Sequence, residues 1–392
     1  MKSYDVIVVG GGPVGSYVAY KLAGMGHGVV VLEQKERLGE RVCCAGIISQ
    51  ECVSSFAIDN DVILRRVNSA RFFSPSGELL RLWRREPQAC IVDRADFDVA
   101  MVRHAQNKGA EYILNSQVRG IEVNDDMVRV EAAHGEERSS FEARAVVIAT
   151  GFGSKLTTDL GKISDFVMGA QAEVETNGID EVEVYFGQEI APGFFAWLVP
   201  TLPQRAVVGL LSRRSPELYL RRFMLSLEAQ GKIVSAEVEP DYRGIPLKPL
   251  AKTCSDRLMV VGSAAGQVKP TTGGGIYYGL LCADIAANNL HQALKTNILS
   301  AKSLVGYDRE WRKKLGQELR IDYWAQKFYE RLNDRQVNKI FDIIKSNSIH
   351  EALLKAEDLS FDWHGKVLLR LLGYTAISKV IKMMKIPVKG IF

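Results

Sequence analysis

The chain has 392 residues, of which 47% are hydrophobic and 24% are charged, and its formal net charge is +4. The length is too great for one simple core, so we expect two or three domains, and the small charge gives no case for nucleic-acid binding. The sequence predicts no signal peptide, no transmembrane helix and no metal site, and its six cysteines form no C-x-x-C pair, so a reducing, cytoplasmic compartment is expected.

The N-terminal segment carries the most informative motif. An apolar run at residues 6–9 predicts a strand, and residues 13–25 predict a helix. Three glycines between them fit the pattern G-x-G-x-x-G, and these are Gly10, Gly12 and Gly15. The first permits a tight turn, the second lets the backbone approach a pyrophosphate, and the third allows close helix–strand packing. A second strand at residues 29–32 leads into Glu33, whose carboxylate can bind two ribose hydroxyls, so this segment predicts dinucleotide binding.

The next part of the chain continues this domain. A helix is predicted at residues 93–104, and four strands follow at residues 112–114, 118–123, 128–132 and 145–149. The last of these is apolar throughout and stops at a turn that contains Gly151. A buried strand that ends in such a turn places a loop at the carboxyl edge of a parallel sheet, where ligands bind in folds of this kind.

Residues 166–250 have a different pattern. Apolar and polar residues alternate in four segments, at residues 170–174, 182–186, 194–199 and 206–211. This alternation predicts an antiparallel sheet, which residues 70–73 and 79–82 are expected to join. A buried strand at residues 257–261 then leads to a glycine-rich turn, a long helix runs from Ile276 to about residue 294, and the rest of the chain is predicted to be helical.

Five segments of the chain carry motifs that can be compared with known families. The first is the glycine motif with Glu33, and another is the glycine-rich segment formed by residues 262–266 with 270–276. The other three are residues 44–49, Cys-Ala-Gly-Ile-Ile-Ser, residues 94–98, Arg-Ala-Asp-Phe-Asp, and residues 192–200. Together they resemble the FAD-dependent geranylgeranyl reductase family, a branch of the para-hydroxybenzoate-hydroxylase-like flavoproteins. The two glycine-rich segments are typical of the wider flavoprotein class, whereas residues 44–49 and residues 192–200, which are similar to the family's Y-x-W-x-F-P substrate motif, narrow the resemblance to the reductases.

The resemblance implies roles for particular residues. The adenosine and pyrophosphate of FAD would be held by Gly10, Gly12, Pro13, Val14, Gly15 and Glu33. The isoalloxazine would lie near Cys44, Ala45 and Ile47, with Cys44 as the catalytic candidate. Arg94 would contact the phosphates or the ribityl chain, Val118 the adenine through its backbone, and Ser263 the ribityl chain. The pyrimidine edge of the flavin would face Gly274, Gly275 and Ile276. The substrate would contact Phe195, Trp197, Val199 and Pro200.

Three positions depart from the family pattern. Ser263 replaces an aspartate, which removes a charge-assisted hydrogen bond to the ribityl chain and predicts weaker FAD binding. Phe195 replaces a tyrosine and loses its hydroxyl, and Val199 replaces a phenylalanine and widens the pocket. These changes leave the identity of the substrate open.

The expected fold is α/β. A doubly wound, Rossmann-type FAD-binding domain of the glutathione-reductase kind would occupy residues 1–165, with residues 69–87 contributing to the substrate sheet. An antiparallel substrate domain would follow at residues 166–252. The second part of the FAD domain would cover residues 253–298, and a C-terminal helical region residues 299–392.

The implied function is the FAD-dependent saturation of carbon–carbon double bonds in a long isoprenoid chain of the geranylgeranyl type. Two alternatives share the same framework. One is an FAD-dependent monooxygenase or halogenase that acts on an aromatic or polyketide substrate, although the halogenase segment W-x-W-x-x-I is absent. The other is a non-catalytic or electron-transferring flavoprotein. The sequence specifies neither the electron donor, for which NAD(P)H and ferredoxin both remain open, nor the oligomeric state.

Structural interpretations of the same residues also remain open. Cys44 can be a small buried hydrophobe, and Phe195 and Trp197 can be core aromatics of a sheet. The tail at residues 366–392 has many leucines and lysines and no acid. This composition fits an exposed helix face and equally a peripheral contact with the inner membrane surface, where an isoprenoid lipid substrate would be held.

Overall fold

The computed structural model describes residues 3–40, 42–135, 137–355, 360–363 and 365. The strands are β1 (Ser3–Val9), β2 (Val29–Leu32), β3 (Ile47–Ser49), β4 (Ile63–Val67), β5 (Ser69–Phe73), β6 (Leu79–Trp83), β7 (Ala89–Val92), β8 (Glu111–Ile113), β9 (Gln117–Val123), β10 (Val128–His134), β11 (Glu137–Ile148), β12 (Phe166–Glu175), β13 (Val182–Phe186), β14 (Phe195–Leu202), β15 (Arg205–Ser212), β16 (Asp241–Pro246), β17 (Cys254–Ser255) and β18 (Leu258–Val260).

The helices are α1 (Pro13–Gly24), α2 (Gln50–Ser55), α3 (Arg94–Asn107), α4 (Pro216–Ala229), α5 (Ile276–Thr296), α6 (Ala301–Tyr329), α7 (Asp334–Ser346) and α8 (Ile349–Lys355). Short 3₁₀ turns lie at Asn60–Val62, Lys155–Leu160 and Gly262–Ala265. Among the described residues, none of the helices combines the length and the hydropathy that a membrane span requires.

The chain divides into two compact units, each made of three segments. The first unit takes the residues up to Val42, then Arg94–Phe166 and Ile245–Leu319. The second takes Cys43–Asp93, Val167–Gly244 and the described residues from Arg320 onward.

The first unit is built on a mainly parallel sheet with the order β17-β18-β11-β1-β2-β8, to which β10 and β9 add an antiparallel arm. Strands β1, β2, β8, β11 and β18 run parallel. All four residues of β2 are buried, as expected for an inner strand that is covered on both faces. Helix α1 packs against α3 and α5. The predicted doubly wound, Rossmann-type sheet is therefore confirmed.

The second unit contains a seven-stranded sheet with the order β16-β12-β15-β14-β13-β5-β6. The predicted sheet was described as antiparallel, but the structure makes β13 and β5 parallel neighbours, because the two strands belong to distant chain segments that no hairpin links. Helix α4 covers one face through Leu220, Phe223 and Leu227, which belong to a buried core with Ala196 and Leu198.

The segment at residues 43–93 is shared between two sheets. The sequence predicts that residues 69–87 contribute to the substrate sheet, and β5 and β6 from this stretch lie in the seven-stranded sheet. The second unit takes the whole segment at residues 43–93. Strands β3, β7 and β4 form a three-stranded sheet of their own. Apolar residues of this small sheet pack against β13 and β14, which is why the segment groups with them.

The expected helical region from residue 299 begins with α6, α7 and α8. Helix α7 starts with a reciprocal capping box, in which the side chains of Asn333 and Gln336 each accept from the other's backbone N–H. The predicted basic tail at residues 366–392 lies outside the described residues.

Candidate cofactor and substrate sites

The three motif glycines in the first unit have three different surroundings. Gly10 has a φ of +107°, and a Cβ there would lie 2.6 Å from the carbonyl oxygen of Ala149. A Cβ at Gly15 would lie 2.0 Å from the Gly10 carbonyl oxygen, so Gly15 allows the helix to approach the turn. A Cβ at Gly12 would meet no heavy atom within 4 Å. Gly12 therefore faces open space, whereas Gly10 and Gly15 are fixed by their contacts.

Helix α1 begins at this open turn without a side-chain cap. Gly12 is the N-cap residue and Pro13 occupies the first helical position, where the missing N–H costs nothing. The N–H groups of Val14 and Gly15 lie in the first turn, where an α-helix offers them no carbonyl acceptor. An uncapped helix N-terminus beside an open glycine is a suitable place for a pyrophosphate, so the residues present fit the expected dinucleotide.

Glu33 is buried and held by backbone groups at the end of β2. Its Oε2 accepts from the Gly11 N–H at 2.6 Å, and its Oε1 accepts from the Lys35 N–H at 3.0 Å. The carboxylate is thereby fixed next to the glycine turn. Gly11 was missed as a functional position, although a Cβ there would lie only 3.2 Å from the Cβ of Glu33.

Val14 joins the glycine turn to the other glycine-rich stretch of the first unit. A Cβ at Gly262, where φ is +67°, would lie 3.1 Å from Val14 Cγ1, and a Cβ at Gly279 would lie 2.6 Å from Val14 Cγ2. The Val14 side chain thus packs where the start of α1, the turn at Gly262–Ala265 and the first turns of α5 meet. Gly279 was not predicted, because nothing in its local sequence distinguishes it.

The predicted residues at the start of α5 lie together and are partly exposed. Gly275 is the N-cap of α5 and makes no side-chain cap hydrogen bond. A Cβ at Gly275 would lie 3.4 Å from Ser263 Oγ. Gly274, Gly275 and Ile276 are all half-buried. The structure therefore brings Ser263 beside a second uncapped helix N-terminus, which favours a partial negative charge on a ligand.

Arg94 and Val118 lie elsewhere in the first unit. Arg94 begins α3, and its guanidinium lies 2.7 Å from a carboxylate oxygen of Asp98 and 5.0 Å from the ring centre of Phe97. This ion pair, which the sequence analysis did not predict, orients the guanidinium. Val118 is half-buried in β9, opposite Ala132.

The second unit brings two of the predicted segments into one apolar cluster. Ala45 and Ile47, from the cysteine segment, pack with Trp197 and Val199 of β14. We call this the apolar cluster, and its other members are Val67, Ala70, Ile91, Val182 and Val184. Residues that lie 150 or more positions apart in the sequence are therefore neighbours.

The alternation in β14 distributes the substrate motif over both faces of the sheet. Trp197 and Val199 belong to the apolar cluster, and Phe195 lies with its ring centre 5.8 Å from that of Trp197. Ala196 and Leu198 face the core under α4. Pro200 follows Ala196 and Leu198 on that face and is buried opposite Ala206. Val199 is also fully buried. Neither Pro200 nor Val199 therefore exposes the surface that its predicted contact with substrate requires, whereas Phe195 and Trp197 are half-buried.

Trp197 has an unusual environment within the second unit. Its indole N–H is buried and has no hydrogen-bond partner among the described residues. The ring lies across Gly209 on β15, and a Cβ at Gly209 would be 2.4 Å from the Trp197 ring. Gly209 was not predicted, because the sequence pattern does not show which residue faces Trp197.

The cysteines near the apolar cluster are thiols. Cys43 and Cys44 are both unpaired and half-buried. The Cys43 thiol donates to the carbonyl oxygen of Asp241 at 3.6 Å, and burial raises the pKa of this thiol to about 12. Cys44 immediately precedes Ala45 of the apolar cluster.

Comparisons with known proteins identify the families that the chain matches. Residues 8–46 match the family described as an NAD(P)-binding Rossmann-like domain, and residues 78–216 match the FAD dependent oxidoreductase family. The chain is 30% identical to the digeranylgeranylglycerophospholipid reductase of Methanocaldococcus jannaschii over 356 residues, which cover 87% of this chain and 90% of that protein. It is also 30% identical to the enzyme of the same name from Methanothrix thermoacetophila, over 90% of this chain and 94% of that protein.

Solved structures show the same fold. A geranylgeranyl bacteriochlorophyll reductase-like protein from Thermoplasma acidophilum superposes with a TM-score of 0.85 at 23% identity, over 98% of this chain and 99% of that one. A halogenase in complex with FAD superposes with a TM-score of 0.69 at 15% identity, over 98% of this chain and 86% of that one.

Proposed function

Because the chain belongs to the digeranylgeranylglycerophospholipid reductase family and is an FAD-dependent oxidoreductase, we propose that it saturates carbon–carbon double bonds in the isoprenoid chains of a glycerophospholipid. The observation that carries the proposal is the apolar cluster. It joins the cysteine segment at Ala45 and Ile47 to Trp197 and Val199.

The first unit would hold FAD by its backbone. The open face of Gly12 and the N-terminus of α1 would bind the pyrophosphate, and Glu33 would bind the adenosine ribose. Arg94 would contact a phosphate or the ribityl chain, and Val118 the adenine. Ser263, with Gly274 to Ile276 at the N-terminus of α5, would hold the ribityl chain and the pyrimidine edge. When bound and reduced, FAD would supply a hydride to one alkene carbon, and the other carbon would receive a proton from water or a group of the cavity.

The second unit would orient the substrate and exclude water. An isolated alkene has no polar handle, so selectivity has to come from the shape of an apolar surface. The half-buried rings of Trp197 and Phe195 would provide such a surface, and Val199 packs beneath it as a fully buried member of the apolar cluster. The ring centre of Phe186 lies 6.4 Å from that of Phe195. Phe186 in turn packs against Phe341 of α7. Trp197, Phe195 and Phe186 thus form a continuous aromatic row in the second unit.

We further propose that Cys44 lies at the junction between flavin and substrate, and that the protein meets the inner membrane surface through the tail at residues 366–392. An isoprenoid glycerophospholipid is a membrane component, so the enzyme has to reach a bilayer.

We propose NAD(P)H or ferredoxin as the electron donor. Anaerobic bleaching of the visible flavin absorption by one donor and not by the other would distinguish them.

The proposed activity is tested with the FAD-loaded protein, chemically reduced under anaerobic conditions and given an unsaturated isoprenoid glycerophospholipid in vesicles. Mass spectrometry should show the substrate gaining two hydrogens for each double bond that is saturated. A product that contains oxygen or halogen and forms only when O₂ is admitted would instead support the monooxygenase or halogenase alternative. Unchanged lipid with a fully reducible flavin would favour an electron-transferring flavoprotein.

A further inference from the structure

The turn that carries Ser263 is attached to helix α6 by a buried series of hydrogen bonds. Gln267 holds Gly262 at two points. The Gln267 backbone N–H donates to the Gly262 carbonyl oxygen at 3.1 Å, and the Gln267 side-chain Oε1 accepts from the Gly262 N–H at 2.7 Å. The Gln267 Nε2 donates to the hydroxyl of Tyr307 at 2.8 Å, and that hydroxyl donates to the Val260 carbonyl oxygen at 2.7 Å.

Gln267 and Tyr307 are completely buried, each with 0% of its surface exposed. Water therefore cannot replace either partner if a hydrogen bond is lost, and a buried polar group left without a partner is costly. The series begins at Gly262, the first residue of the turn, and ends at Val260, the last residue of β18. These hydrogen bonds thus fix the end of β18 and the start of the turn in position relative to α6.

Gly262 lies in close contact with two helices, so its position affects the packing around the turn. It packs against Val14 of α1, where a Cβ would leave only 3.1 Å, and its Cα lies 3.6 Å from the position a Cβ would take at Gly279 of α5. A displacement of Gly262 would therefore change the spacing between the starts of α1 and α5. Close-packed interiors transmit such displacements rather than absorb them.

We propose that Gln267 and Tyr307 are positioning residues for FAD, which set the geometry of the turn that carries Ser263 without reaching the cofactor. The inference rests on the proposed placement of FAD on this turn. It also accounts for how a serine can serve where the family has an aspartate. A neutral hydroxyl gives a weaker hydrogen bond than a carboxylate, so its contribution depends more on being held at the right place.

The chain offers a matched control on the same helix. Trp311 lies one turn after Tyr307, is also 0% exposed, and donates from Nε1 to the Thr253 hydroxyl at 2.8 Å. Tyr307→Phe and Trp311→Phe therefore each remove one buried hydrogen-bonding group from α6. Tyr307 is connected to Gly262 itself through the Gln267 side chain. Trp311 is connected only to the strand before the turn, because the Thr253 carbonyl oxygen accepts from the Val260 N–H. A purely structural role predicts the same behaviour for both variants, whereas a positioning role does not.

The test measures FAD affinity and the midpoint potential of the bound flavin in the full chain. Tyr307→Phe should raise the Kd for FAD roughly tenfold, which corresponds to about 1.4 kcal/mol, and should shift the potential and the visible flavin spectrum. Trp311→Phe should lower the melting temperature and leave the Kd for FAD, the midpoint potential and the visible flavin spectrum unchanged. Gln267→Leu should weaken FAD binding like Tyr307→Phe, and the double variant should bind no more weakly than Gln267→Leu alone.

Equal effects of Tyr307→Phe and Trp311→Phe on FAD affinity, or unchanged affinity and potential in Tyr307→Phe, would overturn the proposal. If Tyr307→Phe does not fold, the same comparison is made between Gln267→Leu and Trp311→Phe. A wild-type protein that binds FAD but leaves the lipid unsaturated refutes the proposed function and not this inference. A wild-type protein that binds no FAD refutes the placement of the cofactor and this inference with it.

Discussion

Trp197 and Gly209 form a cross-strand pair in which the indole ring covers a residue that has no side chain. A Cβ at Gly209 would lie 2.4 Å from Cζ2 and 2.5 Å from Cε2 of Trp197. The absence of a side chain at Gly209 therefore allows the Trp197 ring to lie directly against β15 within the apolar cluster.

Gly209→Ala should displace Trp197 and disturb the apolar cluster. Overpacking of this kind costs about 1–3 kcal/mol, so we expect a lower free energy of unfolding together with slower reduction of the lipid. Gly120→Ala is the control, because a Cβ in that strand would meet only a glutamate side chain at 3.9 Å. Chemical denaturation measures stability, and an alanine at position 209 that behaves like the control would contradict the close packing described above.

Gly12→Val should abolish FAD binding without harming the apoprotein. Gly12 has ordinary extended backbone angles and no neighbour within 4 Å of its Cβ position, so valine fits the fold and fills the space proposed for the pyrophosphate. We expect at least a tenfold rise in the Kd for FAD, or about 1.4 kcal/mol. Gly15→Ala should instead destabilise the apoprotein, because its Cβ would clash with the Gly10 carbonyl. Full FAD occupancy in Gly12→Val would show that the cofactor lies elsewhere.

Ser263→Asp should tighten FAD binding. The residue lies beside the N-terminus of α5, which favours a negative charge, and a carboxylate makes a stronger hydrogen bond to a ribityl hydroxyl. The expected gain is about 1 kcal/mol in a flavin titration. Ser263→Ala should weaken binding in the same assay. Weaker binding by the aspartate variant would mean that the turn differs in geometry from that of its relatives.

Cys44→Ser should retain FAD and change the rate or the extent of alkene reduction, because Cys44 adjoins the apolar cluster. Alkylation gives an independent measurement. Burial raises the pKa of the Cys43 thiol to about 12, so Cys43 remains protonated and slow to react at mildly alkaline pH and becomes reactive only as the pH approaches that value. If a bound isoprenoid lipid protects Cys44 from alkylation, the result would support the proposed site. Wild-type turnover in Cys44→Ser would reduce this residue to packing.

Removal of residues 366–392 should weaken binding to anionic vesicles. This segment contains several lysines and no acid, and each cation near an anionic leaflet contributes about 1 kcal/mol before screening by salt. A flotation assay at low and high salt measures the effect, and circular dichroism confirms that the shortened chain is folded. A folded, shortened protein that floats as well as the full chain would assign membrane contact to another surface.

The sequence by itself determined the features that depend on neighbouring residues. The glycine turn with Glu33, the buried parallel strands, and the alternation that places Trp197 and Val199 on one face follow from local spacing, since side chains repeat with fixed periods in helices and strands. The tertiary structure decided what depends on distant residues. Gly279 beside Val14, Gly209 beneath Trp197 and Tyr307 bound to Gln267 are contacts between separate segments. The residues between them do not specify such contacts, because close packing selects partners by shape only after the chain has folded.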